Sequence, residues 1–352
     1  MTNESNNFEN DTYSSYGIGL SFHDDISTFE ESCLVKSIVS TFLGVSMVLS
    51  LIGNTCTVAV IARERSMKTP INYYLLNLAI TDLMTALFIP IEIYILWVPD
   101  YYPFGEEGCQ MHFLIWDLLS NCSVLTILAF TIERYLVISK PFLRQQLVIN
   151  SRVFKIITIN WILSAIFSIP NAFYSYLVQR KSYVYCFYTV RESEKIILIA
   201  ANLLMFYILP MSVIFVLYVL IAVKLKEKTS RTYNPAYGVQ NKNKAVKMLA
   251  AVAFSFFVCW SPYSILRIIL LIPKQNPDDY FKFERVLLYV SVINSYVYTV
   301  VNPILYSLMS RKFRNAFKRL LKSKNTQCRS RSGESEHANT GIPLSNLKLH
   351  YI

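Results

Sequence analysis

The chain has 352 residues, 53% of them hydrophobic and only 16% charged, with a formal net charge of +11. Soluble domains average about 25% charged residues, so this composition excludes an ordinary soluble enzyme and describes a chain that spends most of its length in lipid. The Lys and Arg follow the two sides of a membrane rather than one soluble face, which sets nucleic acid aside as a partner. Seven scattered cysteines without a CxxC pair and four distant histidines (His23, His112, His337 and His350) offer no zinc ligand set or catalytic constellation.

In chain order, the opening MTNESNNFEN is polar and acidic and does not read as a cleaved secretory signal. Sequons at Asn3 and Asn10 mark residues 1–36 as a glycosylated outer tail. A membrane-crossing helix needs about 20 apolar residues, and such runs recur over 37–61, 73–98, 111–138, 153–176, 196–223, 245–272 and 286–308. Backbone groups in lipid must be satisfied within a helix or a closed barrel, and these runs are too long for barrel strands. The expected fold is an all-α membrane protein, a seven-helix bundle over 37–308. The segments after the first, third, fifth and seventh runs hold more than twice the Lys and Arg of the other side. Positive charge stays cytoplasmic, so the chain is expected to be a multi-pass plasma-membrane protein with its N-terminus extracellular.

The connection between the fifth and sixth runs reads as a basic loop of about twenty residues, too short for an enzyme. After the seventh run, Phe313, Phe317, Leu320 and Leu321 recur at helical spacing among Arg and Lys. They predict an amphipathic interfacial helix over 309–322 with its apolar stripe toward lipid. Cys328 is a palmitoylation candidate, with an unmodified tail cysteine the competing reading. Residues 323–352 read as a disordered cytoplasmic tail whose Ser323, Thr326 and Ser330 are candidate kinase targets for recruiting arrestin.

Single polar residues are costly inside apolar runs, and here their order is informative. In sequence stand Asn54, Asp82, Glu133-Arg134-Tyr135, Trp161 with Pro170, Pro210 with Tyr218, Cys259-Trp260-Ser261-Pro262, and Asn302-Pro303-Ile-Leu-Tyr306. The ordered set resembles the rhodopsin-like (class A) G-protein-coupled receptors. The connection from Trp97 to Cys109 is similar to that of the peptide-receptor branch binding neuromedin U, ghrelin, thyrotropin-releasing hormone and pyrokinin-type peptides.

The resemblance implies a disulfide between Cys109 and Cys186. It implies that Glu133 neutralises Arg134 at rest and that Arg134, flanked by Tyr135, meets a G protein when the sixth helix moves. Trp260, Pro262, Tyr218, Asn302, Pro303 and Tyr306 take the place of the family's activation switches. Asp82, Ser123 and Asn302 resemble its sodium pocket, making an allosteric Na+ the one candidate cofactor, although Tyr298 stands where a small polar residue is usual. At the base of the sixth helix Lys242, Lys244 and Lys247 replace the acid by which many relatives lock the arginine.

Absent chemistry narrows the ligand. Tyr296 occupies the position of a retinal Schiff-base lysine. Trp116 occupies that of an amine-binding aspartate, with Asp117 one residue further and about 100° round the helix. Charges at Glu92, Asp117 and Arg267 argue against a lipid ligand, and Trp260, Tyr263 and Arg267 share one helical face. The candidate ligand-binding residues are therefore Glu92, Asp117, Tyr263, Arg267 and Tyr296, with Asp117 and Arg267 paired across a cavity. The first 33 residues, with seven acids and no Lys or Arg, together with Asp100, Glu106 and Glu107, would attract a basic peptide. The expected function is a receptor, not an enzyme, for a short, basic, C-terminally amidated neuropeptide. Its expected partners are a heterotrimeric G protein of the Gq calcium pathway, arrestin, receptor kinases and membrane lipid. The alternatives are a receptor of the same fold for a small polar non-peptide ligand, and a seven-helix channel or transporter, for which the inverted repeat is missing.

Overall fold

The computed structural model describes residues 31–99, 101–140, 150–173, 175–180, 183–188, 192–231, 237–270 and 277–319. Within them, seven helical stretches are long and apolar enough to cross a membrane. α1 (Cys33–Arg63) is the first span, and a 3-10 turn at Arg65–Met67 leads to the second, built from α2 (Pro70–Ala86) and α3 (Ile89–Trp97). α4 (Gly105–Ser139) and α5 (Asn150–Phe173) follow, then a hairpin of β1 (Ser175–Arg180) and β2 (Tyr183–Tyr188). α6 (Glu192–Leu203) and α7 (Leu209–Arg231), joined through a π turn at Leu204–Ile208, form the fifth span; α8 (Tyr237–Leu270) and α9 (Pro277–Met309) are the sixth and seventh. A short helix, α10, covers residues 311–319. The chain is a multi-pass membrane protein.

The bundle hides polar groups and shows apolar ones, the reverse of a soluble protein. Val45, Ile52, Ile162, Phe215, Val216 and Phe254 are exposed, while Asn54, Asp82, Asn121, Glu133 and Asn302 are buried. Hydrocarbon is as apolar as leucine, so outward Leu and Phe cost nothing there, and inward polar groups must find partners on other helices.

Proline shows this most clearly. Pro303 lies inside α9 and has no N–H, so the carbonyl four residues earlier, on Thr299, loses its helical donor. Asn54 of α1 supplies one: its Nδ2 donates to the Thr299 carbonyl at 2.9 Å and to the Ser50 carbonyl at 3.0 Å. The two helices come close because residue 53 is glycine. A Cβ there would meet Pro303 Cγ at 2.6 Å and Cβ at 2.8 Å.

Several sequence expectations are corrected. The fourth run was extended to residue 176, but Tyr176 lies in β1, paired with Phe187. The hairpin is an addition to the all-α bundle, tied across the top of α4. The loop expected between the fifth and sixth runs is largely helix, since α7 continues to Arg231 and α8 begins at Tyr237. Lys and Glu are good helix formers, so polar composition did not end these helices. Residues 33–36 of the expected outer tail already belong to α1.

The apolar stripe of α10 turns toward the bundle. Phe313 is buried with its ring 6.4 Å from that of Tyr306, and Phe317 packs on the central core. Ser310 caps this helix by accepting from the Phe313 amide at 3.1 Å. Arg314 donates to the carbonyls of Ser307 and Leu308, which the end of α9 leaves open. Leu320, Leu321, Cys328, the kinase-target residues, Asn3 and Asn10 lie outside the described residues.

The close contact of α1 with α9 makes Gly53 a sensitive position. Overpacking costs about 1–3 kcal/mol, so Gly53→Ala should lower the unfolding temperature of the purified protein. Gly44→Ala, whose added methyl meets nothing within 4 Å, should leave it unchanged.

Candidate functional site

One end of the bundle is organised by a disulfide. Cys109 on the first turns of α4 is bonded to Cys186 on β2, with their Cα atoms 5.4 Å apart. The Tyr102 amide donates to the Val184 carbonyl at 2.8 Å, so the loop before α4 and the hairpin are joined. Between them opens a cavity whose rim includes Val184 and Cys186 and whose wall includes Glu92, His112, Trp116 and Tyr263.

Glu92, on α3 just past Pro90, is buried on this wall. The break between α2 and α3 at residues 87 and 88 re-aims the helix ahead of that proline. The Glu92 carboxylate accepts from the Tyr296 hydroxyl at 3.3 Å and lies 3.3 Å from His112 Nε2. Tyr102 Oη is 3.4 Å from the other nitrogen of that imidazole and donates to the Gly108 carbonyl at 3.1 Å. Burial, and behind it the Glu92 carboxylate, push the Tyr102 phenol well above its usual range, so it remains a neutral donor.

Deeper on the α6 and α8 side, Arg267 and Asp117 meet. Arg267 Nη2 donates to Asp117 Oδ1 at 2.9 Å and to the Tyr263 hydroxyl at 3.0 Å, with the guanidinium 4.6 Å from the centre of the Tyr263 ring. Asn202 of α6 completes the group, donating to Asp117 Oδ2 at 2.8 Å and accepting from Arg267 Nη1. Of the five predicted ligand residues, Glu92 and Tyr263 line the cavity. Tyr296 stands behind Glu92, fully buried, and the Asp117–Arg267 pair stands behind Tyr263. Asn202, His112 and Trp116 were not predicted. Asn202 had a signal, a lone amide in an apolar run, while His112 was considered only as a metal ligand.

Below the cavity runs a column of rings. Trp116 lies 5.3 Å from Tyr296 and 6.3 Å from Trp260 between centroids; Phe256 follows at 5.6 Å from Trp260, and Tyr298 at 5.3 Å from Phe256. Pro262 interrupts α8 just above this column. Beside it Asp82, buried, accepts from Asn302 Nδ2 at 2.8 Å. Ser123 is not bonded to Asp82; its hydroxyl donates to the Leu119 carbonyl at 2.9 Å and lies 3.1 Å from Thr81 Oγ1. Asn302 Oδ1 is buried without a hydrogen-bond partner among the described residues. Hard cations take oxygen donors; of the three residues expected to hold one, Asp82 and Asn302 meet, with Asn302 turning its N–H to the carboxylate.

At the opposite end Glu133 is buried, accepting from the Tyr74 hydroxyl at 2.9 Å and from Arg152 of α5. Glu133 makes no hydrogen bond or ion pair with the adjacent Arg134, although the two opposite charges remain within electrostatic reach of each other. The buried hydroxyls of Tyr218 and Tyr306 likewise have no hydrogen-bond partner among the described residues.

Seven spanning helices thus carry an opening beneath a disulfide-bound hairpin at one end and a buried carboxylate cluster around Glu133 at the other. The chain belongs to the rhodopsin family of seven-transmembrane receptors, whose family model matches residues 53–306. It is 30% identical over 331 residues to neuromedin-U receptor 2 of Mus musculus, covering 88% of this chain and 80% of that one. It is 32% identical to pyrokinin-1 receptor of Drosophila melanogaster, covering 80% and 79%, and 30% identical to neurotensin receptor type 1 of Homo sapiens, covering 80% and 75%.

Breaking one half of a buried ion pair costs about 3–5 kcal/mol, because the other charge stays behind. Arg267→Ala should therefore unfold at a markedly lower temperature than the double variant Asp117→Asn/Arg267→Gln, in which no net charge is stranded.

Proposed function

We propose that the protein is a plasma-membrane receptor for an extracellular peptide, with the disulfide end outside, and that it promotes nucleotide exchange on a heterotrimeric G protein of the Gq calcium class. The observation that carries this is the form of the cavity. Its volume is about 80 Å³, below the few hundred Å³ of a typical small-molecule site, yet its wall presents the Glu92 carboxylate. Such a site suits one inserted end of a chain that otherwise lies over the hairpin and outer loops. The names of the relatives support the same ligand class. A basic or amidated end would be received by Glu92, displacing its contact with His112, while acidic outer residues such as Glu106 and Glu107 draw a cationic peptide in.

No bond is made or broken in the process. A ligand shifts the equilibrium between two packings of α7, α8 and α9 by the difference in its affinity for them. Pro262 supplies the pivot by removing a backbone hydrogen bond from α8. The unmet hydroxyls of Tyr218 and Tyr306 give the second packing something to gain, since a buried donor without a partner costs about 1–3 kcal/mol. Phosphorylation of the tail by receptor kinases and capture by arrestin end the signal in this reading.

Asp82 and Asn302 would hold an allosteric Na+, whose contribution is to neutralise a carboxylate inside the membrane. A site of this kind favours the packing in which the two residues stay together.

Cells expressing the chain and challenged with amidated neuropeptides should release calcium with at least one of them. Glu92→Gln should then lower that peptide's potency about tenfold or more, equivalent to the roughly 1.4 kcal/mol of a lost charge-assisted contact, at equal surface expression. An unchanged potency would remove Glu92 from the ligand site. Exchanging NaCl for a bulky organic chloride should raise peptide affinity in the wild type and leave it unaltered in Asp82→Asn.

A further inference from the structure

Glu133 and Arg134 are adjacent on α4, and their side chains leave the helix about 100° apart. The carboxylate is drawn to one side, held at once by the Tyr74 hydroxyl of α2 and the Arg152 guanidinium at the start of α5. Glu133 is the more deeply buried partner: its side chain is 5% exposed and that of Arg152 33%. Two donors from two other helices satisfy it where Arg134 would offer one direction of approach.

Arg134 makes no hydrogen bond or ion pair with any described residue and its Nε is buried without a partner, so Glu133 reaches it through space only. No carboxylate on α8 can take the vacant role, because that helix contains no Asp or Glu along its whole length, Tyr237–Leu270. This packing thus has neither carboxylate lock: its own acid is hydrogen-bonded elsewhere, and the sixth span contains no Asp or Glu.

We infer, taking the G-protein coupling proposed above as given, that Arg152 is a positioning residue that withholds Glu133 from Arg134, and that the receptor in consequence signals without ligand. An arginine with unmade hydrogen bonds in a half-buried site favours whatever brings acceptors to it, and an inserted segment of a partner protein does so. Arg152 touches neither ligand nor transducer in this scheme; it acts through Glu133. Replacing it with a neutral residue releases the carboxylate to its neighbour and closes the lock.

The test uses the purified full chain in lipid nanodiscs with no peptide added. One readout is nucleotide exchange on purified heterotrimer; the other is the distance between spin labels on Lys140→Cys and Lys247→Cys, with Cys33 and Cys328 replaced by serine and no G protein present. The wild type is expected to drive exchange above the receptor-free rate and to populate an open distance. Arg152→Gln is expected to lower both by about threefold or more, Arg152→Lys to retain them, and Arg152→Gln in a Glu133→Gln background to change neither, as a coupled pair requires. An equal loss in both backgrounds, or labels indifferent to Arg152→Gln, overturns the inference. Failure to drive exchange on any heterotrimer even with an active peptide would instead overturn the coupling, while the label distances still report on Arg152.

Discussion

Hydrocarbon gives a polar group nothing to bond with, and this governs the protein more than apolar packing does. Between helices already surrounded by lipid, burying another leucine gains little, so packing alone does not choose which faces meet. Polar bonds across helices do. Asn54 reaches the Thr299 carbonyl that Pro303 leaves open, Trp161 donates to Asn77 at 2.9 Å, and Asn77 donates to Thr126 at 2.9 Å. Asn302 meets Asp82, and Arg267 meets Asp117. Each is worth only about 0.6 kcal/mol on average in comparable bundles, but each also excludes a rotated or shifted helix that would strand its donor. Together they fix register across α1, α2, α4, α5, α8 and α9.

The same rule gives meaning to the groups left unanswered. Tyr218 on α7, Trp260 on α8, and Tyr298 and Tyr306 on α9 bury a hydroxyl or an indole N–H that has no partner among the described residues. They sit on the helices that the proposed mechanism moves. A bundle with every polar group paired would have one strongly preferred packing; unmet donors on α7 to α9 reduce the cost of a second. The ring column from Trp116 through Trp260 and Phe256 to Tyr298 links two of those donors, Trp260 and Tyr298, to the cavity wall at Trp116. Interiors packed to solid density rearrange by discrete steps rather than by gradual deformation.

The spans were legible because an apolar run of about 20 residues is among the strongest signals a sequence carries, and the cysteine pair was legible through the family resemblance. What failed did so for identifiable reasons. The apolar run of α5 continues into SYLVQR without a break, so Ser175 and Tyr176 of strand β1 were read as the end of a helix. The basic ends of α7 and α8 lack apolar periodicity because they extend past the lipid, and periodicity was the criterion for a helix. The α10 stripe was identified, but periodicity cannot say whether a stripe meets lipid or a protein neighbour such as Tyr306. Arg152 was counted as a loop charge that sets orientation, a use that conceals its contact with Glu133. Asp117 and Arg267 are 150 positions apart; their pairing was expected because two charges in one apolar bundle need each other.

The two ends of α8 differ in their charged residues, and in the proposed mechanism that asymmetry makes the helix a lever. Near the cavity, Arg267 is fastened to α4 through Asp117 and to α6 through Asn202. At the far end α8 has no acid with which to hold Arg134. The pivot at Pro262 lies five residues from Arg267 and fifteen from Lys247, about 8 Å and 22 Å along a helix rising 1.5 Å per residue. A displacement at the fastened end is therefore multiplied nearly threefold at the free one. In that mechanism a ligand that loosens or re-aims the Arg267 cluster works against the bonds near the cavity, while the far end of α8 brings no carboxylate of its own. Under the same proposal, sensitivity to a small outer contact and readiness to open without one share a physical origin: the ion pair that fastens the sixth span to α4 lies at its cavity end.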